Sequence, residues 1–103
     1  MEESEVLDTN LLIEGKRGLT TVLNVIEHPP AINHCQVLWP DRDDYERALD
    51  LAWKLRLQGT PVGCTDILVS SICLNRNLTL ITKDNDFKYV KGVEKEFKVR
   101  VLE

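Results

Sequence analysis

A short apolar run near the C-terminus constrains the fold more than any other segment. Residues 78–81 read Leu-Thr-Leu-Ile and end in Thr82, a pattern that predicts a short buried strand. Two carboxylates, Asp84 and Asp86, follow it. In an open α/β sheet, sites form where loops leave the carboxyl ends of strands, and acidic side chains there can hold a hard cation. Asp is also an ordinary turn residue, so this segment alone has two possible interpretations, a turn or a pair of cation ligands.

Composition narrows the class of protein. The chain of 103 residues is 43% apolar and 29% charged, which predicts one small globular domain over residues 1–103. No apolar run could span a membrane and the N-terminus is unlike a signal peptide, so we expect a cytoplasmic protein with no membrane partner. A net charge of −4 argues against a non-specific duplex binder. It does not exclude a nuclease whose acidic cluster is neutralised by divalent cations.

The three cysteines do not indicate a disulfide framework or a zinc site. Cys35, Cys64 and Cys73 are odd in number and show no CxxC spacing. Cys73 lies in an apolar, helix-like stretch and is interpreted as a small core residue.

Strands alternate with helices along the chain. A first strand is predicted to end at Asp8, and further strands are predicted at residues 19–22, 36–39, 78–82 and, as an edge strand, 98–102. Helices are predicted at residues 42–58 and 65–75, while residues 87–90 are expected to return the chain to the surface. The alternation predicts an α/β fold with a mainly parallel central sheet flanked by helices.

The helix at residues 42–58 has clear signals at both ends. Asp41 is its predicted N-cap, and Gly59 and Pro61 follow its last turn. Its acids, Asp41, Asp43 and Asp44, are therefore interpreted as capping and solvated charges, because a calcium loop needs another spacing and a central Gly.

Three further acids each leave two readings. Asp8 stands between two apolar tripeptides, as a helix N-cap or as a ligand at a strand end. Glu27 ends a short apolar element, for which Asn24 is a candidate cap, and precedes two prolines. It is either a solvated helix end or a ligand. Asp66 lies in the first turn of the second predicted helix. It either interacts with the helix dipole or points into the crevice shared with Asp8.

Together these segments resemble the PIN domain nucleases, in particular the VapC-type toxins. The resemblance rests on Asp-Thr-Asn-Leu-Leu-Ile at 8–13, Gly-Thr-Pro-Val-Gly-Cys-Thr-Asp at 59–66 and Thr-Lys-Asp-Asn-Asp-Phe at 82–87, in the family's order. It implies a three-layer PIN-like domain, smaller than usual for the family. It also implies a metal-dependent endoribonuclease that is the toxin of a toxin–antitoxin pair.

The resemblance also implies roles for individual residues. It gives Asp8, Glu27, Asp66 and Asp84 as catalytic, Asp8, Asp66, Asp84 and Asp86 as ligands of Mg²⁺ or Mn²⁺, and Asn10 and Thr82 as supporting residues. Carboxylates that share a crevice repel each other, and divalent cations relieve this repulsion and assist in-line phosphodiester hydrolysis. The implied partners are RNA, an antitoxin protein and a second copy of the chain. Lys83 is either a phosphate ligand or a solvated surface residue.

One region departs from the family's pattern. Only residues 14–18 separate the first acidic motif from the element that bears Glu27, so the chain is shortened there, and Pro29 and Pro30 end that element early. This leaves an alternative function, a catalytically impaired PIN-like binding or dimerisation module. A phosphate-accepting receiver domain does not fit, because its separate acceptor Asp and later strand-end Lys are not found.

Overall fold

The computed structural model describes residues 4–103, which contain one five-stranded sheet whose strands are all parallel. The strands, in chain order, are β1 (Glu5–Leu7), β2 (Leu19–Thr21), β3 (Gln36–Leu38), β4 (Thr79–Thr82) and β5 (Lys98–Val101). The helices are α1 (Thr9–Ile13), α2 (Val22–Glu27), a 3₁₀ helix (Pro29–Asn33), α3 (Arg42–Gln58), α4 (Cys64–Arg76) and α5 (Phe87–Val93). The predicted α/β class with a central parallel sheet is confirmed.

The strand order reverses at β1. The strand order is β3-β2-β1-β4-β5. Strands β2 and β3 therefore lie on one side of β1, and β4 and β5 lie on the other. In such sheets the crevice at the carboxyl ends of the two strands at the reversal is the usual ligand site. Here those strands are β1 and β4, which pair Leu7 with Ile81. Asp8, the residue after β1, donates its backbone N–H to the Ile81 carbonyl at 3.0 Å.

Helix α3 begins and ends where its sequence signals predict. Asp41 and Asp44 form a reciprocal capping box, and Gly59 adopts a left-handed conformation with φ of 80°. The capping role of Asp44 is confirmed by this box, but its side chain is fully buried and not solvated. It accepts hydrogen bonds from Asn75 and Arg76 at the end of α4, which provide the compensation that a buried carboxylate requires.

The main core lies between the sheet and helices α3, α4 and α5. It includes Val6 and Leu80 from the central strands and Cys73 from α4, all fully buried. The complete burial of Cys73 confirms its interpretation as a core residue, and it raises the pKa of the thiol to about 12. Among helices in residues 4–103, none has both the length and the apolar character needed to cross a membrane.

Two local predictions were wrong. Residues 87–93 form a helix, α5, and its Phe87 and Val90 side chains are fully buried, although residues 87–90 were expected at the surface. The cap of α2 is Thr21, whose hydroxyl accepts from the Asn24 backbone N–H at 3.3 Å, and not Asn24. β2 therefore ends at Thr21, and Asn24 has its side chain free for another role.

The short connection expected after the first acidic motif is visible in the fold. Helix α1 has five residues, and residues 14–18 lead directly from it into β2. Gly15 has φ of 92°, so the backbone turns sharply at the end of α1.

Candidate active site

Asp8 occupies the centre of the site. It lies at the N-cap position of α1, but its side chain makes no capping hydrogen bond. Its Oδ1 accepts from Asn24 Nδ2 at 2.8 Å, and its Oδ2 accepts from the Thr82 hydroxyl at 2.6 Å. The carboxylate is only 7% exposed, so these two bonds from α2 and β4 hold it in one orientation at the reversal point of the sheet.

A hydrogen-bonded chain connects Asp8 to Glu27. Asn24 Nδ2 also donates to the Thr9 hydroxyl at 3.0 Å, and that hydroxyl donates to Glu27 Oε1 at 2.5 Å. Asn24 is itself held by Thr21, whose hydroxyl donates to Asn24 Oδ1 at 2.6 Å. Glu27, at the exposed end of α2, is thus tied to the same network as the buried Asp8.

Sequence reasoning missed Asn24 and Thr9 as members of this network. Asn24 was interpreted as a helix cap, and Thr9 received no role although it follows Asp8 directly. The available signal was spacing: Asn24 and Glu27 are three residues apart and therefore lie on one face of a helix. Because Asn24 is only 1% exposed, its amide needs partners inside the protein, and it finds them at Asp8, Thr9 and Thr21.

The loop after β4 folds over the Thr82 hydroxyl. While this hydroxyl donates to Asp8, it accepts the Asp84 backbone N–H at 3.0 Å. The Asp84 carboxylate in turn accepts the Asp86 backbone N–H at 2.9 Å. Asp84 is half-buried and Asp86 is exposed, so Asp84 lies closer to the interior of the crevice.

Asp66 is electrostatically coupled to the other acids. It lies in the first turn of α4 and is half-buried. Burial raises the pKa of Asp66 to about 6, and further contributions come from the negative charges of Asp8, Asp84, Glu27 and Asp86, in that order. The structure therefore brings all five acids predicted from the sequence into one electrostatic neighbourhood.

The pKa of Asp8 is also raised. Burial is the main cause, hydrogen bonds from the Thr82 side chain and the Thr9 backbone oppose it, and the charges of Glu27 and Asp84 add to the rise. For both Asp8 and Asp66 the charged form is disfavoured mainly by burial and in part by neighbouring negative charges, and a bound cation would relieve both effects.

The donor set fits a hard divalent cation in its chemistry. All five acids offer carboxylate oxygens, the ligands that Mg²⁺ and Mn²⁺ prefer. Within residues 4–103, no group of three or more His, Cys, Asp or Glu side chains is close enough to hold an ion without rearrangement. Over the same residues, the Oδ1 atom of Asn10 is the one buried side-chain polar atom without a hydrogen-bond partner. Such an atom needs a water or a ligand to satisfy it.

Lys83, the residue after β4, forms an ion pair with Glu14. Its ammonium group donates to the Glu14 carboxylate at the end of α1, and both side chains are partly exposed. In this arrangement the charge of Lys83 is compensated by Glu14.

Comparison with known proteins identifies relatives of this fold. The family model for the PIN domain matches residues 30–93, more than half of the chain. The matched range includes Asp66, Asp84 and Asp86, while Asp8 and Glu27 precede it. No curated protein matches the sequence significantly.

Three solved structures show the same fold at low sequence identity. VapBC-5 from Mycobacterium tuberculosis is 21% identical with a TM-score of 0.77, over 96% of this chain and 99% of that chain. DNA-bound VapBC from Salmonella typhimurium is 16% identical with a TM-score of 0.77, over 95% and 97%. VapBC2 from Rickettsia felis, bound to a DNA fragment from its promoter, is 14% identical with a TM-score of 0.74, over 96% and 98%.

Proposed function

This chain belongs to the PIN domain family, and on that premise we propose that it is a metal-dependent endoribonuclease. The observation that carries the proposal is that Asp8 and Asp84 follow the carboxyl ends of β1 and β4 and interact electrostatically with Asp66, as does Glu27. Burial and, in addition, these negative charges raise the pKa of Asp66 to about 6. In a purely structural ion-pair network, Lys or Arg side chains would lie beside these acids. Here Asp8 is bonded instead to the neutral Asn24 and Thr82.

Asp8, Asp66, Asp84 and Asp86 would hold Mg²⁺ or Mn²⁺, with Asn10 and Thr82 in support. When bound, the cation would neutralise charge on the scissile phosphate and stabilise the leaving oxygen. Asn10 suits its role because the unpartnered, buried Oδ1 is an acceptor that a water or a cation would satisfy.

The protein's own residues orient the reacting groups. Asn24 and Thr82 fix both oxygens of Asp8, so this carboxylate does not need to reorganise when substrate arrives. Thr9 holds Glu27 at the rim of the crevice, where an exposed carboxylate can accept a proton from an attacking water. The expected products carry a 5′-phosphate and a 3′-hydroxyl.

The experiment is an RNA cleavage assay with Mn²⁺, with Mg²⁺ and with a chelator. Asp84→Asn removes one proposed ligand charge, and Asp43→Asn makes the same change on an exposed residue of α3. We expect metal-dependent cleavage by the wild type and by Asp43→Asn. We expect Asp84→Asn to be slower by about 100-fold or more, the usual effect of removing a group that stabilises transition-state charge. Equal rates for the two variants would contradict the proposal.

One observation favours the alternative, a catalytically impaired PIN-like module. The absence of a preformed three-residue metal group within residues 4–103 fits a domain that binds partners without cleaving RNA. The cleavage assay separates the two functions, because the module would bind RNA or protein and leave RNA intact.

We also propose that the protein acts as a toxin restrained by an antitoxin, and that it forms a homodimer. The first idea is supported by likeness to solved VapBC structures. The second is supported by an apolar stripe on α3 at a spacing of four residues, all largely exposed: Tyr45, Leu49, Trp53 and Leu57.

One sheet containing all five strands supports a single domain over residues 1–103.

A further inference from the structure

A small basic cavity lies at the end of α1 away from Asp8, and the proposed reaction does not use it. Its volume is about 250 Å³, and it opens between the end of α1 and the 3₁₀ helix. Of its ten lining residues none is acidic and four are basic, namely Lys16, Arg17, His28 and His34. The first two belong to the Gly-Lys-Arg-Gly connection that precedes β2.

The backbone on both sides of this cavity is held by hydrogen bonds. At the end of α1 the Gly15 N–H bonds to the Leu12 carbonyl at 3.0 Å, and the Lys16 N–H bonds to the Leu11 carbonyl at 3.1 Å. With a left-handed Gly15, this pair of bonds is a Schellman motif, which fixes the direction in which the chain leaves the helix. On the other side, the His34 N–H bonds to the Ala31 carbonyl at 3.0 Å.

The positive charges at the cavity are not neutralised within the described chain. Lys16 and Arg17 are exposed, and among residues 4–103 neither takes part in an ion pair. The neighbouring acids are engaged elsewhere: Glu14 pairs with Lys83, and Glu27 accepts from Thr9. A locally positive cavity in a chain of net charge −4 attracts anions to that point of the surface.

The volume of the cavity and its hydrogen-bond donors indicate which kind of anion it can bind. Lys and Arg offer only hydrogen-bond donors and charge, which suits a phosphate or a carboxylate. A volume of about 250 Å³ is smaller than the ~300–1,000 Å³ of sites that enclose drug-sized molecules. The cavity therefore has room and donors for a single anionic group.

Helix α1 joins the cavity to the acidic crevice. Helix α1 starts directly after Asp8 and ends at the cavity, and its five residues give a separation of ~8 Å along the helix axis. The end of α2 also links the two sites. Glu27 belongs to the hydrogen-bonded network of the crevice, and the following residue, His28, lines the cavity.

We propose that this cavity is a subsite for a backbone phosphate of the RNA strand, next to the phosphodiester that is cleaved at the acidic crevice. The inference rests on the proposed ribonuclease function. The basic subsite offsets the repulsion that an acidic crevice exerts on a polyanion, and it sets the direction of the strand along α1.

The test measures binding in a chelator, so that cleavage does not interfere. The probe is a fluorescent single-stranded RNA oligonucleotide, followed by anisotropy at several salt concentrations. The double variant Lys16→Gln/Arg17→Gln removes two exposed charges at the cavity. Lys95→Gln/Lys98→Gln removes two exposed charges around the start of β5, the edge strand on the other side of the sheet from β2 and β3.

We expect the cavity variant to bind RNA about tenfold or more weakly, because hydrogen bonds from charged donors to phosphate are stronger than those from neutral donors. Its salt dependence should also become shallower, by about 0.7 in slope for each lost phosphate contact. The control variant should change affinity by less than about twofold, as exposed charges away from a site contribute little.

Several outcomes would overturn the inference. One is equal weakening in the two double variants, which would show that only net charge matters. Another is displacement of the RNA by equimolar inorganic phosphate, which would identify a free-anion site. A third is duplex DNA that binds as tightly as RNA and is equally sensitive to Lys16→Gln/Arg17→Gln.

A cleavage assay with Mn²⁺ keeps the two proposals apart. If the wild type binds RNA through the cavity but does not cleave it, the proposed nuclease function fails, and the cavity stands as a binding site for RNA phosphate only. If the wild type cleaves RNA and the cavity variant keeps the same KM, the subsite fails and the nuclease function stands.

Discussion

The environment of Asp8 shows how a buried carboxylate can be kept ready for a ligand. One oxygen accepts from the Asn24 amide and the other from the Thr82 hydroxyl, and neither donor brings a positive charge. The bonds orient the group without neutralising it, and burial raises its pKa. A cation is the partner that such an arrangement lacks, whereas Asp44, also buried, already has Arg76.

Asn24→Ala tests the positioning network at residue scale. It removes the donor to Asp8 Oδ1 and to Thr9, and we expect a loss of about 1–3 kcal/mol in the free energy of unfolding. Cleavage should also slow because Asp8 and Glu27 lose their orientation. Urea unfolding and the RNA assay measure the two effects. Asn33→Ala, at an exposed position, should change neither, and an equal effect there would refute the assigned role.

Asp66→Asn tests the charge repulsion through its dependence on pH. The pKa of Asp66 is about 6 in the folded protein against an ordinary 3.8, so the folded state binds this proton more tightly. Its favourable contribution is complete below pH 3.8 and is lost as the pH rises through about 6. In a chelator at pH 8, Asp66→Asn should therefore be more stable than the wild type, by up to about 3 kcal/mol.

The same comparison at pH 4 should show little difference between the two proteins. Saturating Mn²⁺ should reverse the order at pH 8, since the wild type gains more from ion binding than Asp66→Asn. Thermal unfolding followed by circular dichroism measures both. A variant that is less stable than the wild type in chelator at pH 8 would contradict a repulsive acidic crevice.

At the scale of elements, α3 and α4 are joined by the buried group of Asp44, Asn75 and Arg76. Burial raises the pKa of Asp44, but the hydrogen bonds from Arg76, the Asp41 backbone and Asn75 outweigh it, so the pKa lies below its ordinary value. Arg76 also donates to the Trp39 carbonyl at 3.2 Å, which connects the segment after β3 to the same group.

Arg76→Ala should therefore be strongly destabilising. It leaves the fully buried Asp44 carboxylate without its cation, and we expect a loss of about 3 kcal/mol or more. Arg42→Ala removes an exposed pair with Glu46 on α3 and should cost less than about 1 kcal/mol. Chemical denaturation of both variants gives the comparison. Similar losses would mean that the buried pair contributes no more than a surface pair.

Elements with strong local signals could be predicted from the sequence, and elements that depend on tertiary packing could not. Helix α3 carries its own capping box and terminal Gly59, so its bounds were predicted correctly. Helix α5 has seven residues, two fully buried apolar anchors and an internal Gly92, a pattern too short to show a helical period. Its packing against the core, through Phe87 and Val90, decides its conformation.

The same distinction applies to the site. The acids were predictable because strand ends and a helix start are visible in the sequence. Asn24 was not, because an Asn near the start of a helix most often caps it, and only the fold shows that Thr21 takes that role. The basic cavity was also hidden, since residues 16–17 and 28–34 are brought together by the return of the chain from α2 into β3.

At the scale of the whole molecule, charge and apolar surface lie in different places. The acids gather at the reversal point of the sheet, the basic cavity lies one short helix away, and the exposed apolar stripe follows α3. Under the proposed function, this separation would allow RNA and a second copy of the chain to occupy different faces at the same time.

Leu49→Asp/Trp53→Asp tests the use of that stripe in a homodimer. These side chains are 66% and 60% exposed, so the change should leave the fold intact and abolish self-association. Light scattering coupled to size-exclusion chromatography measures the mass. Ile32→Asp changes another exposed apolar residue and should remain dimeric. A wild type that is monomeric at all concentrations would refute the proposed dimer.

Calorimetric titration with Mn²⁺ is the most direct test of the central claim, that the acids at the ends of β1 and β4 form a metal centre. The wild type and Asp43→Asn should bind Mn²⁺ with the same affinity. Asp84→Asn should bind it at least about tenfold more weakly, the usual penalty when a metal site is disturbed. Absence of binding to the wild type, or binding that Asp84→Asn leaves unchanged, would contradict the claim.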